Sequence, residues 1–344
     1  MSAKPEVAIL FASGAAANRL VAGIPAAARA VCNAAVHCGG AVAVCVPCGW
    51  TPSTLCRAEI ARIAPDAHWR ALPAEGATAP YWFAGALCQR VVPPAMRHPH
   101  HLIISEASEI ASFEAQAREI VAATGKAGDG IVSRYINRPL SRAATRLILR
   151  LPWARPWHAT VGAGLTGLLM AFCLFSGTQE GLTAGALLFQ AASVIDGIDG
   201  EMARATMRAS PAGAMLDSLT DAATNIAFVL GVSYNLYASG SEPAGLAGAA
   251  AALILAAGKT VLAVEARRSR GHFTFDGLKH RLARRPAVWK RLLTYVTMRD
   301  FYALAACLLI IAGLAEFFTF AFALGAAGWL ATLGWMMAKD RICR

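Results

Sequence analysis

The sequence predicts an α-helical membrane protein of six transmembrane helices, preceded by a small cytoplasmic α/β domain and an amphipathic interfacial helix. Three observations carry this reading. Beyond residue 157, apolar stretches recur at about 158–177, 182–203, 213–236, 246–266, 300–317 and 319–338, each near the ~20 residues a helix needs to cross a bilayer core. No Lys or Arg occurs from His158 to Met202 or from Ala209 to Gly258. Across the 344 residues only 15% are charged and 56% are hydrophobic, with a mean hydropathy of +0.47, a balance that soluble domains rarely show.

Residues 1–125 read as the α/β domain. Val7–Ala12 is an apolar run ending before Gly14, Pro25–Cys38 is alanine-rich and helical, and Gly40–Pro47 is a buried-strand pattern bracketed by Gly and Pro. Thr51–Ile63 is a helix opened by Thr51-Pro52, His101–Ser105 a short strand, and Glu109–Thr124 an amphipathic helix. This alternation predicts a partly parallel sheet. The first residues carry no basic leader, long apolar core or cleavage signal, so this domain is expected in the cytoplasm. Six of the nine cysteines precede residue 90. Cys45 and Cys48 form a C-x-x-C beside Cys38 and His37, with only Cys56 near as a further thiol, so the set is either a partial metal site or reduced cysteines acting as small hydrophobes. His98-Pro99-His100-His101 reads as a surface loop.

Residues 126–156 form a basic connector. Arginines fall at 134, 138, 142, 146 and 150, with Leu140, Leu147, Ile148 and Leu151 among them. A helix with one arginine stripe and one apolar stripe lies along a membrane surface or serves as a solvated linker. Trp153 and Trp157 suit the interface.

From residue 157 onward the charges set the topology. With the N-terminal domain inside, the loops near Gly177, Ser239 and Phe317 fall outside and hold no Lys or Arg, whereas Arg267–Arg299 and the tail Lys339-Asp340-Arg341 fall inside. The net charge of +11 is therefore read as inner-membrane orientation and contact with anionic lipid. No aromatic-interleaved basic motif points to nucleic acid. Lys259 is an intramembrane charge that either contacts substrate or snorkels to the interface. Lys279, Lys290 and the loop arginines either collect anionic acceptors or grip lipid.

The chemistry concentrates in Asp196–Asp221. Asp196 and Asp199 are three apart, Asp217 and Asp221 four apart, so each pair shares one helix face. Ser210-Pro211 between them reads as an N-cap and first helical residue, which makes the stretch two helices joined by a turn near Met207–Ser210. Folded about its midpoint, the hairpin sets Asp199 level with Asp217 and Asp196 level with Asp221. Four carboxylates in an apolar setting need cations. Their oxygens suit hard divalent ions such as Mg2+ or Mn2+, and two ions about 4 Å apart can clamp a phosphoryl transfer. Without cations the same spacing is a solvated acidic face.

The full pattern, D-x-x-D-G-x-x-A-R followed eight residues later by G-x-x-x-D-x-x-x-D, resembles the signature of the CDP-alcohol phosphotransferase family, with Asp196, Asp199, Gly200, Ala203, Arg204, Gly213, Asp217 and Asp221 at its positions. The resemblance implies an integral membrane enzyme that moves a substituted phosphate from a CDP-linked donor to an alcohol acceptor and releases CMP. It implies metal at Asp196, Asp199, Asp217 and Asp221, with Asp221 also the candidate base. It places Gly200, Ala203, Arg204 and Gly213 around the nucleotide, and it implies a homodimer.

Two further resemblances lie upstream. A-I-L-F-A-S-G-A-A-A-N-R-L with G-I-P-A-A-A-R-A-V resembles the opening of a sugar-nucleotidyltransferase at Gly14, Arg19, Gly23, Pro25 and Arg29. Ala16 and Ala17 stand where a second loop glycine belongs, which implies a degenerate, catalytically silent domain; the alternative is an unrelated α/β domain. The junction D-G-I-V-S-R-Y-I-N-R-P-L-S-R resembles that of bifunctional inositol-phosphate cytidylyltransferase/di-myo-inositol-phosphate phosphate synthases. Arg155-Pro156-Trp157 replaces the T-P-N frequent in the phosphotransferase family before the first span. CDP-diacylglycerol and CDP-inositol both stay open as donor, and a membrane scaffold or ion-binding transporter is the rival of another class.

Overall fold

The computed structural model describes residues 7–38, 41–47, 50–73, 81–83, 105–126, 128–268 and 298–342. The chain forms two compact units. The first comprises Met1–Gly125, Arg142–Ala154 and Glu201–Arg208; the second comprises Lys126–Ser141, Arg155–Gly200 and Ala209–Arg344.

The first unit is built from β1 (Val7–Leu10), α1 (Gly14–Asn18), β2 (Leu20–Val21), β3 (Ile24–Pro25), α2 (Ala26–Cys38), β4 (Val42–Val46), α3 (Thr54–Ile63), β5 (Trp69–Pro73), β6 (Tyr81–Phe83) and α4 (Glu106–Ala122). Four strands form a parallel sheet in the order β5-β4-β1-β6. Central β1 and β4 are apolar almost throughout because they are covered on both faces. Ile9, Val31, Val44 and Ile60 are buried in one core, where Phe11 meets Phe113 of α4 with ring centroids 6.2 Å apart. β2 and β3 form a hairpin whose turn residues, Ala22 and Gly23, both have positive φ.

Several sequence expectations need adjusting here. Helix α3 starts at its Ser53 cap, which accepts from Cys56 N, and not at Thr51-Pro52. Ser105 is the N-cap of α4, while 101–104 lie outside the described residues. β5 and β6 were not anticipated: W-R-A-L-P is a half-exposed edge strand without a continuous apolar run, and three residues are too few for periodicity to register. Cys45 and Cys56 are buried, and burial pushes the Cys56 thiol up to about 11, the state of a small neutral hydrophobe. Cys48, His98–His101, Lys279 and Lys290 lie outside the described residues.

The second unit holds the long helices. A π-helical turn (Ser133–Asn137) leads into α5 (Arg138–Ile148), followed by α6 (Pro156–Leu174), α7 (Gln179–Ala205), α8 (Pro211–Ala238), α9 (Glu242–Arg268), α10 (Arg299–Ile311) and α11 (Ala315–Ile342). The first residues of α5 belong to this unit and the rest to the first; the last turn of α7 likewise belongs to the first. Among the described residues four helices are long and apolar enough to cross a membrane: Pro156–Leu174, Gln179–Ala205, Glu242–Val264 and Ala315–Trp335. Their outer faces fit lipid, since Leu168, Phe172, Leu253 and Leu324 are each more than two-thirds exposed.

Helix α8 spans 28 residues but carries the polar Asp217, Asp221, Asn225 and Asn235. The expected span at 300–317 ends at Ile311 with 13 residues, short of a crossing. Gly313, at φ +76°, breaks it: Gly313 N donates to Ile310 O and Leu314 N to Leu309 O, a left-handed helix stop. At the start of α6, Pro156 takes the first helical position and His158 Nδ1 accepts from Arg155 N at 3.0 Å, so the R-P-W variant still closes the helix end.

Candidate active site

Helices α7 and α8 present the aspartates. Ser210 caps α8, its hydroxyl accepting from Gly213 N at 3.1 Å, and Pro211 occupies the first turn. Gly213 is therefore exposed at the very start of α8, with Asp217 one turn and Asp221 two turns further in. On α7, Asp196 is half-buried and Asp199 buried. Thr160 Oγ1 of α6 donates to Asp199 Oδ2 at 2.7 Å. Asp196 and Asp199 of α7 both lie near enough to Asp217 of α8 for their charges to act on it.

A fifth residue joins the group, one the sequence did not single out. Arg299, the first residue of α10, places Nη1 3.3 Å from Asp196 Oδ1 and also contacts Asp221 Oδ1. Its side chain is only 12% exposed. The guanidinium lies over the Phe189 ring, 5.7 Å from the centroid. Phe189 stacks on Phe228 at 3.8 Å, and the Tyr302 ring packs beside Phe189 at 6.1 Å. An aromatic floor thus supports a cation held between two carboxylates. In the sequence Arg299 is one more basic residue closing a basic stretch.

The junction motif packs onto the same unit. Arg138 forks onto Asp129 with two hydrogen bonds of 2.9 and 3.0 Å, and burial, which alone would raise the Asp129 carboxyl, is outweighed by that guanidinium, holding it below its ordinary value. Arg138 Nη1 also donates to Gly197 O at 3.3 Å, and a Cβ on Gly197 would stand 3.2 Å from that nitrogen. Asn137 bonds Ser193 and Gln190 of α7, and Asp300, next to Arg299, accepts from Ser133 N at 2.6 Å. Asp129, Ser133, Asn137 and Arg138 of the junction thereby fasten to α7 and to the start of α10.

Ala203 and Arg204 lie in the first unit, where Arg204 Nε donates to Thr124 O at 2.7 Å. Around them the last turn of α7 is held by its orphan backbone carbonyls. Arg29 Nη2 donates to Ala205 O at 2.5 Å, Arg62 donates to Thr206 O and Met207 O at 2.8 and 2.9 Å, and Arg208 pairs with Glu59. Met207 takes the left-handed conformation that ends the helix. Lys259 sits half-buried on α9, one residue beyond Gly258, whose backbone lies against Trp329.

The donor chemistry fits a divalent ion. All four side chains offer hard oxygen, the donor type that such ions prefer. Among the described residues no three acidic, His or Cys side chains close on one point as a metal-holding group; Arg299 is the cation in contact with Asp196 and Asp221.

The comparisons with known proteins agree with this part of the chain. The sequence model of the CDP-alcohol phosphatidyltransferase family matches residues 153–334. The "Bifunctional IPC transferase and DIPP synthase" of Thermococcus kodakarensis is 34% identical over 164 residues, covering 48% of this chain and 35% of that protein. The proteins of the same description from Aquifex aeolicus and Rubrobacter xylanophilus are 36% and 37% identical over 110 and 125 residues, covering 24% and 28% of their own lengths. The matched segment thus spans about a third or less of these relatives. With more than half of its length matched by the family, and the aspartates of the motif gathered on two adjacent helices, the chain belongs to the CDP-alcohol phosphatidyltransferase family.

Proposed function

We propose that the protein transfers a substituted phosphate from a CDP-linked donor to the hydroxyl of an alcohol, releasing CMP, with Asp196, Asp199, Asp217 and Asp221 as the divalent-metal ligands. The observation that carries this is the meeting of carboxylates from α7 and α8, where Arg299 joins Asp196 to Asp221. Two bound Mg2+ or Mn2+ ions would neutralise the donor pyrophosphate and polarise its β-phosphorus. The rest falls to the chain's own side chains. Thr160 fixes the orientation of Asp199. Asp221 takes the proton of the acceptor hydroxyl as its oxygen attacks the β-phosphorus; the bond from that phosphorus to the bridging oxygen breaks, and CMP leaves. Arg204 forks onto donor phosphate, while Gly200, Ala203 and Gly213 leave room for the nucleotide. Lys259 is proposed as a further substrate contact.

The organisation we infer has residues 1–125 as a cytoplasmic, catalytically silent α/β domain, 126–156 as a connector whose helix lies in the interface, and 157–344 as a six-helix membrane domain in which, among the described residues, α6, α7, α9 and α11 are the helices long and apolar enough to cross. It works as a homodimer in the inner membrane with the site on the cytoplasmic side. The silent reading is supported by α1: where a phosphate-binding loop would need open backbone, Ser13 caps a short helix and buries Ala16 and Ala17. The resemblance of the junction D-G-I-V-S-R-Y-I-N-R-P-L-S-R favours CDP-inositol as donor over CDP-diacylglycerol.

The deciding experiment is CMP release by the detergent-purified chain with Mg2+, using CDP-inositol and CDP-diacylglycerol, each against inositol, inositol phosphate and glycerol phosphate. Release with CDP-inositol is expected; release with CDP-diacylglycerol alone makes it a phospholipid synthase. No CMP from any pairing overturns the proposal and leaves a scaffold or ion-binding protein.

A further inference from the structure

A second candidate site lies wholly within the first unit. A groove of about 760 Å³ is lined by Arg19, Phe113, Glu114 and Arg118 on one side and by Arg146 and Arg150 on the other. Four guanidiniums face one carboxylate. Glu114 is committed to Arg19 at 2.8 Å, and among the described residues no carboxylate pairs with Arg118, Arg146 or Arg150. Among the described residues Arg118 and Arg146 spend only their Nε hydrogens, on carbonyls one turn back. Their terminal nitrogens keep their donors. Arg118, Arg146 and Arg150 are all exposed and open to an incoming anion, and a planar fork is the geometry that takes phosphate oxygens in pairs.

The floor differs from the rim. Phe113, Val121 and Leu149 are nearly fully buried beneath the groove, while Leu147 at its edge is 62% exposed. A basic rim over an apolar floor suits a phosphate ester with carbon atoms attached better than a bare ion. Arg146 and Arg150 are two of the five arginines spaced four apart from 134 to 150, whereas Arg134 does not line the groove.

We propose that this groove binds the phosphate of a phosphate ester, either a lipid headgroup or a soluble polyol phosphate, with Arg118 on α4 and Arg146 and Arg150 on the connector side bridged by the same anion. It shares no lining residue with the aspartate site and does not depend on the proposed reaction.

The test uses the full-length protein in neutral detergent with excess EDTA, so that metal-dependent binding at the aspartates is suppressed. Calorimetric titration is run with glycerol 3-phosphate, with short-chain phosphatidylglycerol below its micelle concentration, and with short-chain phosphatidylcholine as the zwitterionic control. Saturable binding is expected in the wild type, weakened at least ~10-fold in Arg118→Gln/Arg146→Gln/Arg150→Gln and unchanged in Arg134→Gln. Single Arg118→Gln is carried alongside in case the triple variant misfolds, and should weaken binding severalfold with an unchanged melting temperature. Binding of phosphatidylglycerol alone identifies a headgroup; binding of glycerol 3-phosphate as well identifies a general phosphate-ester site. Equal binding by wild type and a folded variant, equal uptake of phosphatidylcholine, or no binding at all would overturn the proposal.

Discussion

Thr160 and Asp199 are joined by a hydrogen bond of 2.7 Å from Thr160 Oγ1 to Asp199 Oδ2, and both residues are buried. The threonine thereby uses one carboxylate oxygen and aims the other. Groups that orient a metal ligand are worth about 10–100-fold in affinity or activity. Thr160→Val is expected to raise the Mg2+ concentration for half-maximal CMP release by about that factor, and Thr160→Ser to restore it. An unchanged Mg2+ requirement in the valine variant would remove Asp199 from the metal site.

Asp221→Ala is expected to abolish CMP release while the purified protein keeps its helical circular dichroism. Asp221→Asn should behave in the same way, because an amide cannot accept the hydroxyl proton. Turnover retained in either variant rules out the base assignment.

Arg299 and a metal ion compete for the same oxygens of Asp196 and Asp221. Arg299→Gln removes the competing charge. The variant should reach half-maximal metal occupancy at a lower Mn2+ concentration than wild type, read by electron paramagnetic resonance of free Mn2+. A higher concentration would mean that the guanidinium shapes the site and does not block it.

Asp129 and Arg138 form a nearly buried pair, 12% and 10% exposed. The carboxyl is held below its ordinary value, so the pair's stabilisation is complete above the unfolded carboxylate range near pH 4 and is lost as pH falls through the lower folded value. Asp129→Asn removes the carboxylate that takes two of this guanidinium's hydrogen bonds, a loss of about 2–3 kcal/mol. Its melting temperature should fall well below wild type at pH 7, and the gap should narrow as the pH is taken below about 3. A gap independent of pH would mean that packing, not charge, makes the difference.

Arg62 holds both Thr206 O and Met207 O and pairs with Glu59. Arg62→Ala is expected to lower stability by about 2–3 kcal/mol, the scale of a few charged hydrogen bonds lost from a partly buried site. Arg62→Lys should recover less than half of this, since an ammonium lacks the fork. Thermal melts of the purified variants decide it.

The parts legible in the sequence were those written in local spacing. Asp196 to Asp221 announced two helices and a turn because helical periodicity and the Ser210-Pro211 cap act within a few residues. What escaped was written across distance. Thr160 is one hydroxyl in an apolar stretch, and Arg299 follows Asp221 by 78 positions; neither spacing nor composition connects them to the aspartates. The Asp129–Arg138 pair is nine apart and shares no helix face. The early end of α10 depended on a left-handed glycine at 313, which sequence alone cannot tell from the small residues that pack between membrane helices.

The hold of Arg29 and Arg62 on the end of α7 has a consequence for how substitutions will be tolerated. Both arginines bind main-chain carbonyls, at Ala205, Thr206 and Met207, and a carbonyl is the same group whatever side chain accompanies it. Tolerance should therefore be lopsided. Half-buried Met207 can be exchanged widely, and glycine should suit its left-handed backbone best. Neither arginine can be replaced without stranding helix-end oxygens. A substitution scan across this contact would show a permissive position facing two forbidding ones.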